Sequence, residues 1–233
     1  LAHDAAQHLY GVAWPGRADP VDVSIHDSGG LLVIEAEPAS DEDTLRDIVC
    51  LGHCAEQLAH CNEIGELATA AARGIAELAR YDRVMVYRFS ADGSGSVIAE
   101  QVAPGLPTYL GLRYPASDIP AQARALYLRS PSRIICGVAD DGIDVLGHDT
   151  AALDLSLSTL RSVSPVHLQY LRNMGTAATM SITLRVNGRL WGLVVCHHGA
   201  PKRPALACRA IAETLGRLFG LAIGRLESEG LQQ

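Results

Sequence analysis

The chain has 233 residues, 48% of them hydrophobic, and a formal net charge of -7 at pH 7. These values predict a globular protein whose core is large enough for one large domain or two small ones. The negative charge argues against general binding to nucleic acid or to anionic membranes, because such binding depends on clustered Lys and Arg. The sequence shows neither a signal-peptide pattern nor a run of about 18 apolar residues, so we expect a cytoplasmic protein.

The N-terminal stretch predicts a short helix followed by a β-hairpin. The helix covers residues 1–10, and residues 14–20 have the Pro and Gly content of a loop. Period-two alternation over residues 21–25 and an apolar run over residues 31–36 flank a turn signal at residues 27–30. We expect these two strands to pair with each other.

Two helices and a second hairpin are predicted next. Helical periodicity extends over residues 41–80, with a break near residues 61–63. Residues 84–89 and 96–100 have strand character, and the Gly-rich residues 92–95 separate them. The chain therefore changes from helix to antiparallel strands near residue 81.

Three of the six cysteines lie on the first of these helical segments. Cys50, Cys54 and Cys61 share one helical face, with His53 and His60 on an adjacent stripe, which suggests a metal site. The alternative, which we favour, is that small apolar cysteines line a packed helix face, because structural zinc sites draw ligands from turns as well as helices. In a cytoplasmic protein we expect the cysteines to be reduced.

Two short segments carry more specific side chains than a plain core requires. Residues 161–175 combine Arg, Ser, His, Tyr and Met between Pro165 and Gly175, which indicates a binding site. In residues 114–120, two prolines hold Asp118 in a rigid, non-helical turn. We expect the two segments to form one pocket.

The remaining elements complete an α+β pattern. They are a short helix, a short strand, a loop, a hairpin and a closing helix, at residues 121–128, 133–136, 140–150, 179–186 with 190–198, and 205–229. Asn187-Gly188 suits a type I′ turn in the hairpin. Strand alternation places Trp191, Leu193, Val195 and His197 on one side. The closing helix has an apolar stripe formed by Ile211, Leu215, Leu218, Ala222 and Leu226. This order predicts an antiparallel sheet flanked by helices.

The composition of the central region indicates what a pocket could hold. Five of the seven tyrosines lie between Tyr87 and Tyr170, and Arg133, Arg161 and Arg172 are near them in sequence. Aromatic faces and guanidinium forks suit a large, flat, conjugated ligand that carries acidic groups. The alternative is an ordinary aromatic core with surface arginines, and composition leaves both open.

Four motifs resemble the chromophore-binding GAF domain of bacterial phytochromes: residues 81–89, 115–120, 161–175 and 190–198. The match extends over about half of the chain. The hairpin at residues 21–36 resembles the end of the PAS domain that precedes GAF in that family. The resemblance therefore implies a partial PAS domain over residues 1–38 and a GAF domain over residues 39–230.

The resemblance also implies roles for individual residues toward a linear tetrapyrrole. Asp118, with Ile119 and Pro120, matches the Asp whose backbone carbonyl accepts hydrogen bonds from the pyrrole N–H groups and whose side chain faces a following PHY domain. His167 matches the His that helps to keep the bilin protonated. His197 matches the donor to the D-ring carbonyl.

The same resemblance implies a propionate site and a D-ring pocket. Arg133 and Arg161 match the arginines that hold a propionate, and Ser164, Thr179 and Ser181 match the hydroxyl partners of the propionates. The residues that match the surroundings of the D ring are Met85, Tyr87, Tyr114 and Tyr170, with Tyr109 as a nearby aromatic and Tyr127 as a further cofactor contact. A surface ion pair is the alternative for the arginines, and plain core is the alternative for the aromatic residues.

The chain departs from its relatives at the attachment site of the bilin. Val166 stands where plant and cyanobacterial relatives have a cysteine, and residues 1–20 contain no match to the N-terminal cysteine of bacterial relatives. We therefore expect non-covalent binding of biliverdin by this chain. If a cysteine does react, Cys136 is the first candidate.

The resemblance implies a red and far-red light sensor that binds biliverdin, isomerises it at the D ring and signals to PHY and output domains. It implies no enzymatic activity for this chain, and it implies a homodimer formed by helices. Two other classes of protein stay open at this point. One is a GAF regulatory module that binds a cyclic nucleotide or another small metabolite, and the other is a purely dimerising scaffold.

Overall fold

The computed structural model describes residues 6–40, 44–139, 142–148, 150 and 153–230. Within these residues the chain forms a small and a large antiparallel sheet, and helices cover the large one. This confirms the predicted α+β fold with an antiparallel sheet flanked by helices. Parts of three predicted segments, at residues 1–5, 41–43, 140, 141 and 149, lie outside the described residues.

The small sheet consists of three antiparallel strands: β1 (Gln7–Val12), β2 (Val21–Ser28) and β3 (Leu31–Pro38), in that order. The predicted hairpin is confirmed by β2 and β3. The helix predicted for residues 1–10 is wrong where it is described, because residues 7–10 pair with β2 as a strand. Gly11 has a φ of 62°, outside the range of a right-handed helix. Pairing with β2 therefore decides the structure here.

The large sheet has six antiparallel strands in the order β6-β5-β4-β9-β8-β7. Their bounds are β4 (Arg83–Phe89), β5 (Gly95–Val102), β6 (Arg113–Tyr114), β7 (Ser132–Ile135), β8 (Ala178–Val186) and β9 (Arg189–His198). The turn between β8 and β9 has φ of 48° at Asn187 and 76° at Gly188, which fits the predicted type I′ turn.

Helices cover both faces of the large sheet. Their bounds are α1 (Thr44–His60), α2 (Ile64–Ala79), α3 (Ala121–Arg129), α4 (Pro165–Asn173) and α5 (Leu206–Gly230). The main core lies between the sheet and α1, α2 and α5. Smaller apolar clusters around Met85 and Leu171 lie apart from this core. None of the helices in the described residues has both the length and the apolar character needed to span a bilayer.

The buried face of α5 differs from the predicted stripe. Of the residues in that stripe, Leu215 is buried, whereas Ile211, Leu218, Ala222 and Leu226 are only partly buried. The buried positions instead include Ala212, Phe219 and Ile223, together with Gly216 and Gly220. A Cβ at Gly220 would overlap the carbonyl of Arg185 in β8, so the helix backbone lies almost against the sheet. An apolar-stripe pattern misses this face because glycines form part of it.

Cysteines of α1 pack against α2 as the favoured alternative predicted. Cys50 and Cys54 are buried, their Sγ atoms are 4.0 Å apart, and a Cβ at Gly74 would overlap Cys54. Burial raises the pKa of the Cys54 thiol to about 12, which makes it a poor nucleophile. Cys61 is half-exposed and its thiol donates to the carbonyl of Gln57 at 3.2 Å.

Candidate functional site

A cavity of about 340 Å³ opens on the face of the large sheet opposite to α5. Its floor consists of side chains from β4, β5, β7, β8 and β9, and its walls come from α3, α4 and the loops beside them. This volume is within the range of small-molecule sites. Most of the predicted site residues line it: Met85, Tyr87, Tyr114, Asp118, Ile119, Tyr127, Arg133, Arg161, Ser164, His167, Tyr170, Thr179, Ser181 and His197.

Strand register explains why distant residues share this floor. Arg133 on β7 lies opposite Ser181 on β8, and Thr179 on β8 lies opposite His197 on β9. Met85 on β4 lies opposite Val195 on β9. Directly paired residues point to the same face of an antiparallel sheet, so these six side chains line the cavity together.

Trp191 does not share this face, which corrects the predicted alternation of β9. Leu193, Val195 and His197 line the cavity, but the indole of Trp191 donates to Glu227 of α5 at 3.0 Å. Pairing with β8 shifts by one residue between Leu184 and Arg185, so Trp191 is the extra residue of a β-bulge. A bulge reverses the facing of the residues beyond it.

The most polar wall of the cavity contains two arginines. Nη2 of Arg133 donates to the carbonyls of Arg161 and Ser162, at 3.1 and 3.2 Å. Its Nη1 and the Nε of Arg161 are buried and have no hydrogen-bond partner among the described residues. Burial, followed by the charge of Arg161, lowers the pKa of Arg133 to about 10. Burial also lowers the pKa of Arg161. This wall therefore offers donors and positive charge to an anion.

Hydroxyl groups lie beside this wall. Thr179 and Ser181 are buried on β8, next to Arg133 and His197. Ser164 precedes α4 and makes no side-chain capping bond to the helix. Its hydroxyl is therefore not committed to the helix end and can face the cavity.

His197 is a buried titratable group on the floor of the cavity. It is 8% exposed and lies opposite Arg83 on one neighbouring strand and Thr179 on the other. Burial, then the charges of Arg83 and His167, lower its pKa to about 4. The imidazole is therefore neutral near pH 7, with one nitrogen able to donate and the other able to accept.

His167 reaches the cavity from α4. Its ring stacks on that of Tyr170, with an angle of 11° between the planes and 6.4 Å between the centroids. Burial, followed by the charge of Arg133, lowers the pKa of His167 below its usual value. The α4 helix thus presents a flat aromatic pair to whatever fills the cavity.

An aromatic cluster closes the opposite end. The Tyr87 ring lies 5.1 Å from Phe89 and 6.0 Å from Tyr114. A Cβ at Gly95 would overlap the Tyr87 ring, so this glycine makes room for it. The Tyr87 hydroxyl is buried without a partner among the described residues, and burial raises its pKa to about 12. Its O–H is therefore a free donor at this end.

Tyr109 and Pro120 do not line the cavity. Tyr109 packs behind the cluster of Met85 and Tyr87, and the guanidinium of Arg83 lies 3.7 Å from its ring centroid. Pro120 is the N-cap residue of α3, and its carbonyl accepts from the backbone N–H of Arg124 at 3.0 Å. Both residues support the wall and do not form its surface.

Asp118 lies where the cavity meets the protein surface. The backbone N–H of Asp118 donates to the carbonyl of Pro115 at 3.1 Å, which confirms the predicted turn. Asp118 is exposed. Ser117 Oγ approaches the carboxylate at 3.5 Å. The carboxylate can therefore make contacts outside the cavity.

The sequence analysis did not identify much of the apolar lining of the cavity. It also grouped Arg172 with the two cavity arginines, although Arg172 does not line the cavity. The missed residues include Val97, Leu126, Ile135, Val163, Leu171 and Met174. Such residues are indistinguishable from ordinary core in a sequence, and only strand alternation on β7 could have indicated Ile135. Arg172, noted for its proximity in sequence, donates instead to the carbonyl of Val138 at 2.5 Å.

All six cysteines are among the described residues, and none of them contributes to the cavity wall. Cys136 packs against the main core on the other side of the sheet. Val166 on α4 is 79% exposed.

The fold and its cavity are those of a GAF domain, and the model of the GAF domain family matches residues 63–223. The bacteriophytochrome of Xanthomonas campestris is 41% identical over 228 residues, which are 96% of this chain and 33% of that protein. The bacteriophytochrome of Pseudomonas aeruginosa is 45% identical over 170 residues, 71% of this chain and 23% of that protein.

Solved structures of bacteriophytochromes are also similar to this chain. The chromophore-binding domain of Stigmatella aurantiaca bacteriophytochrome has a TM-score of 0.85 at 35% identity, with 95% of this chain and 74% of that chain covered. The chromophore-binding domain of an unusual bacteriophytochrome from R. palustris has a TM-score of 0.81 at 35% identity, with 90% and 70% covered. The chain therefore belongs to the bacteriophytochrome family of GAF-containing proteins, which confirms the resemblance. It spans about a third or less of the length of the curated relatives named above.

Proposed function

We propose that this chain is the bilin-binding part of a red and far-red light sensor and that its ligand is biliverdin. The observation that carries the proposal is the pair of half-buried arginines, each with a buried N–H group that has no partner among the described residues, at one end of a cavity walled by aromatic rings. A linear tetrapyrrole with two propionates fits this donor set, because guanidinium forks pair with carboxylates and aromatic faces pack on flat rings.

The residues of the cavity would divide the work of holding such a ligand. Arg133 and Arg161 hold a propionate, and the hydroxyls of Ser164, Thr179 and Ser181 add neutral hydrogen bonds. The backbone carbonyl of Asp118, in the turn with Ile119 and Pro120, accepts from the pyrrole N–H groups. His167 lies near the pyrrole nitrogens and helps to keep them protonated.

The D-ring end is the part that responds to light in this proposal. When bound, biliverdin supplies red absorption and Z-to-E isomerisation about its C15=C16 bond. His197 donates to the D-ring carbonyl in the dark, while Met85, Tyr87, Tyr114, Tyr127 and Tyr170 shape the space in which that ring turns, with Tyr109 behind them. The exposed carboxylate of Asp118 presents the change to a PHY domain and, through it, to an output domain. The chain itself acts as a sensor and not as an enzyme.

A competition experiment separates this function from that of a metabolite-binding GAF domain. Biliverdin should bind the 233-residue chain with saturation, and cyclic GMP and cyclic AMP should neither bind nor displace it. The reason is that a cyclic nucleotide offers a single phosphate and too little aromatic surface for both ends of this cavity. Tight binding of a cyclic nucleotide with displacement of biliverdin would favour the metabolite function.

Domain boundaries are part of the proposal. The small sheet, within residues 1–38, is assigned to a partial PAS domain, and residues 39–230 are assigned to the GAF domain. The two units are joined by an ion pair between Glu37 of β3 and Arg209 of α5, in which Arg203 also takes part at 3.1 Å. Arg209 is 2% exposed, so the contact between the units is tight.

The attachment chemistry gives a first prediction. We expect biliverdin to bind without a covalent bond, because no cysteine lines the cavity and burial raises the pKa of the thiols of Cys50, Cys54 and Cys196. After denaturing electrophoresis, zinc-induced fluorescence should be missing from the protein band. A fluorescent band would show that a cysteine reacts. If the fluorescence were then lost in Cys136→Ser, Cys136, which directly follows β7, would be that cysteine.

A second prediction concerns association. Leu45, Ile48 and Val49 of α1 are 76%, 52% and 57% exposed, and Leu221 of α5 is 71% exposed. Neighbouring apolar side chains on one helix face indicate an interface, and we propose a homodimer built on these helices. Light scattering at micromolar concentration should give the mass of a dimer, and Leu45→Glu with Val49→Glu should give a monomer. Leu146→Glu, at a 91% exposed loop position, is the matched control. A monomeric wild-type chain would contradict the proposal.

A further inference from the structure

A carboxylate of the small sheet reaches the loop that carries one of the cavity arginines. Glu35 on β3 accepts hydrogen bonds from the backbone N–H groups of Thr159 and Leu160, at 3.1 and 2.8 Å. The Thr159 hydroxyl also donates to it, at 3.3 Å. Arg161 is the next residue. The end of β2 adds a second contact, from the Ser28 hydroxyl to the carbonyl of Asp154.

The cavity side holds the same loop through Arg133, whose Nη2 donates to the carbonyls of Arg161 and Ser162. Residues 159–162 form neither helix nor strand, so no regular backbone ladder fixes them. Glu35 from outside and Arg133 from inside therefore bind backbone groups of one four-residue segment, residues 159–162. Hydrogen bonds to a charged group are stronger than neutral ones, which makes this pair of contacts well suited to fix the segment.

We propose that Glu35 is a positioning residue for the anion-binding wall: it fixes the backbone before Arg161 so that the guanidinium meets a carboxylate of the ligand. This proposal rests on the proposed function and deepens it, because it makes the small sheet part of the bilin site. Glu35 and the other described residues of the small sheet line no part of the cavity. The sheet acts only through the loop.

Coupling of this kind works in both directions. If Glu35 improves the binding of a carboxylate ligand at Arg161, the bound ligand must stabilise the contact between β3 and the loop by the same factor. Biliverdin should therefore slow amide hydrogen exchange at Thr159 and Leu160, whose N–H groups bond to Glu35. The slowing should be lost in Glu35→Ala.

A double-mutant cycle with two ligands tests the proposal. Affinities for biliverdin and for biliverdin dimethyl ester are measured with the wild-type chain and with Glu35→Ala, Arg161→Ala and the double variant. Glu35→Ala should weaken biliverdin binding about tenfold, as expected for the loss of one or two charge-assisted hydrogen bonds. In the Arg161→Ala background, Glu35→Ala should lower the affinity for biliverdin less than about twofold, and in the wild-type background it should lower the affinity for the ester less than about twofold. In both cases the contact between Arg161 and a ligand carboxylate, which Glu35 supports, is missing.

Two further variants complete the design. Glu35→Gln keeps one acceptor oxygen and should lie between wild type and Glu35→Ala. Asp19→Ala removes an exposed carboxylate from the loop between β1 and β2 and should bind like wild type. Thermal unfolding of each apoprotein checks that the variants remain folded. If Glu35→Ala does not fold, Glu35→Gln replaces it as the milder change.

The possible outcomes separate this proposal from the function on which it rests. An equal loss for biliverdin and its ester, full additivity with Arg161→Ala, or unchanged affinity in Glu35→Ala would each overturn the positioning role while leaving a bilin-binding chain. A wild-type chain that binds neither ligand would overturn the proposed function and this proposal together.

Discussion

The variant with both Arg133→Ala and Arg161→Ala is expected to bind biliverdin at least about 100-fold more weakly than wild type. Each arginine supplies buried N–H groups without a partner among the described residues. A hydrogen bond between charged groups contributes about 1.5 to 3 kcal/mol, and 1.4 kcal/mol corresponds to about tenfold in affinity. Two such contacts therefore account for about 100-fold or more.

Stability of the apoprotein should change much less than affinity. Arg133 gives up hydrogen bonds to two loop carbonyls, but its removal also relieves the cost of burying two like charges near each other. The Lys variants should recover little, because an ammonium cannot form the planar fork of a guanidinium. Fluorescence titration of biliverdin against apoprotein measures the affinities.

The matched control for this experiment is Arg129→Ala, which removes an arginine from an exposed pair with Asp154 outside the cavity wall. We expect it to bind biliverdin like wild type. The dimethyl ester should bind wild type about as weakly as biliverdin binds the double variant. If wild type bound the acid and the ester equally, the two arginines would not recognise carboxylates.

His197 should make the apoprotein sensitive to mild acid. Its pKa is lowered from 6.5 to about 4 in the folded chain, mainly by burial. Between these values the unfolded chain binds a proton that the folded chain does not, so stability falls as pH falls below about 6.5. The full effect is about 3 kcal/mol, and about 2 kcal/mol of it should appear between pH 7 and pH 5.

Urea unfolding of the apoprotein at pH 7 and pH 5 measures this contribution. His197→Gln should lose about 2 kcal/mol less than wild type between the two pH values, because Gln cannot take up the proton. His53→Gln, at an exposed position of α1, should behave like wild type. The same pH dependence in wild type and His197→Gln would show that this imidazole is not held neutral by burial.

His197 is also expected to affect the bound chromophore. If it donates to the D-ring carbonyl, His197→Ala should shift the absorption band or impair photoconversion while the fold is retained. A single hydrogen bond of this kind contributes only about 0.5 to 1.5 kcal/mol. An unchanged spectrum and photocycle would remove it from the D-ring site.

Local patterns predicted most of the elements, and they failed where tertiary pairing decides. Turn chemistry at Asn187-Gly188 located the last hairpin, and strand alternation placed Leu193 and Val195 beside His197. The same alternation failed at Trp191, because a bulge is a property of the pairing with β8 and leaves no mark on one strand alone. The helix prediction for the residues of β1 failed for a similar reason. These residues form a strand because they pair with β2, which begins at Val21, and this pairing cannot be recognised from residues 7–12 alone.

The cavity was predictable to the extent that its side chains are polar or part of a motif. Arg133, His167 and Asp118 stand out in the sequence because polar and charged side chains are uncommon in a hydrophobic core. Val97 and Leu126 carry no such signal. The support from Glu35 could not be predicted at all, because it lies 124 residues from Thr159 and belongs to another sheet.

The central claim is that this chain binds a linear tetrapyrrole and responds to light, and one absorption measurement tests it most directly. Purified apoprotein is mixed with biliverdin, and spectra are recorded in the dark and after red illumination. We predict an intense red-absorbing band that free biliverdin lacks, and a reversible change of that band after illumination. A spectrum equal to the sum of free biliverdin and apoprotein, unaffected by red light, would contradict the account.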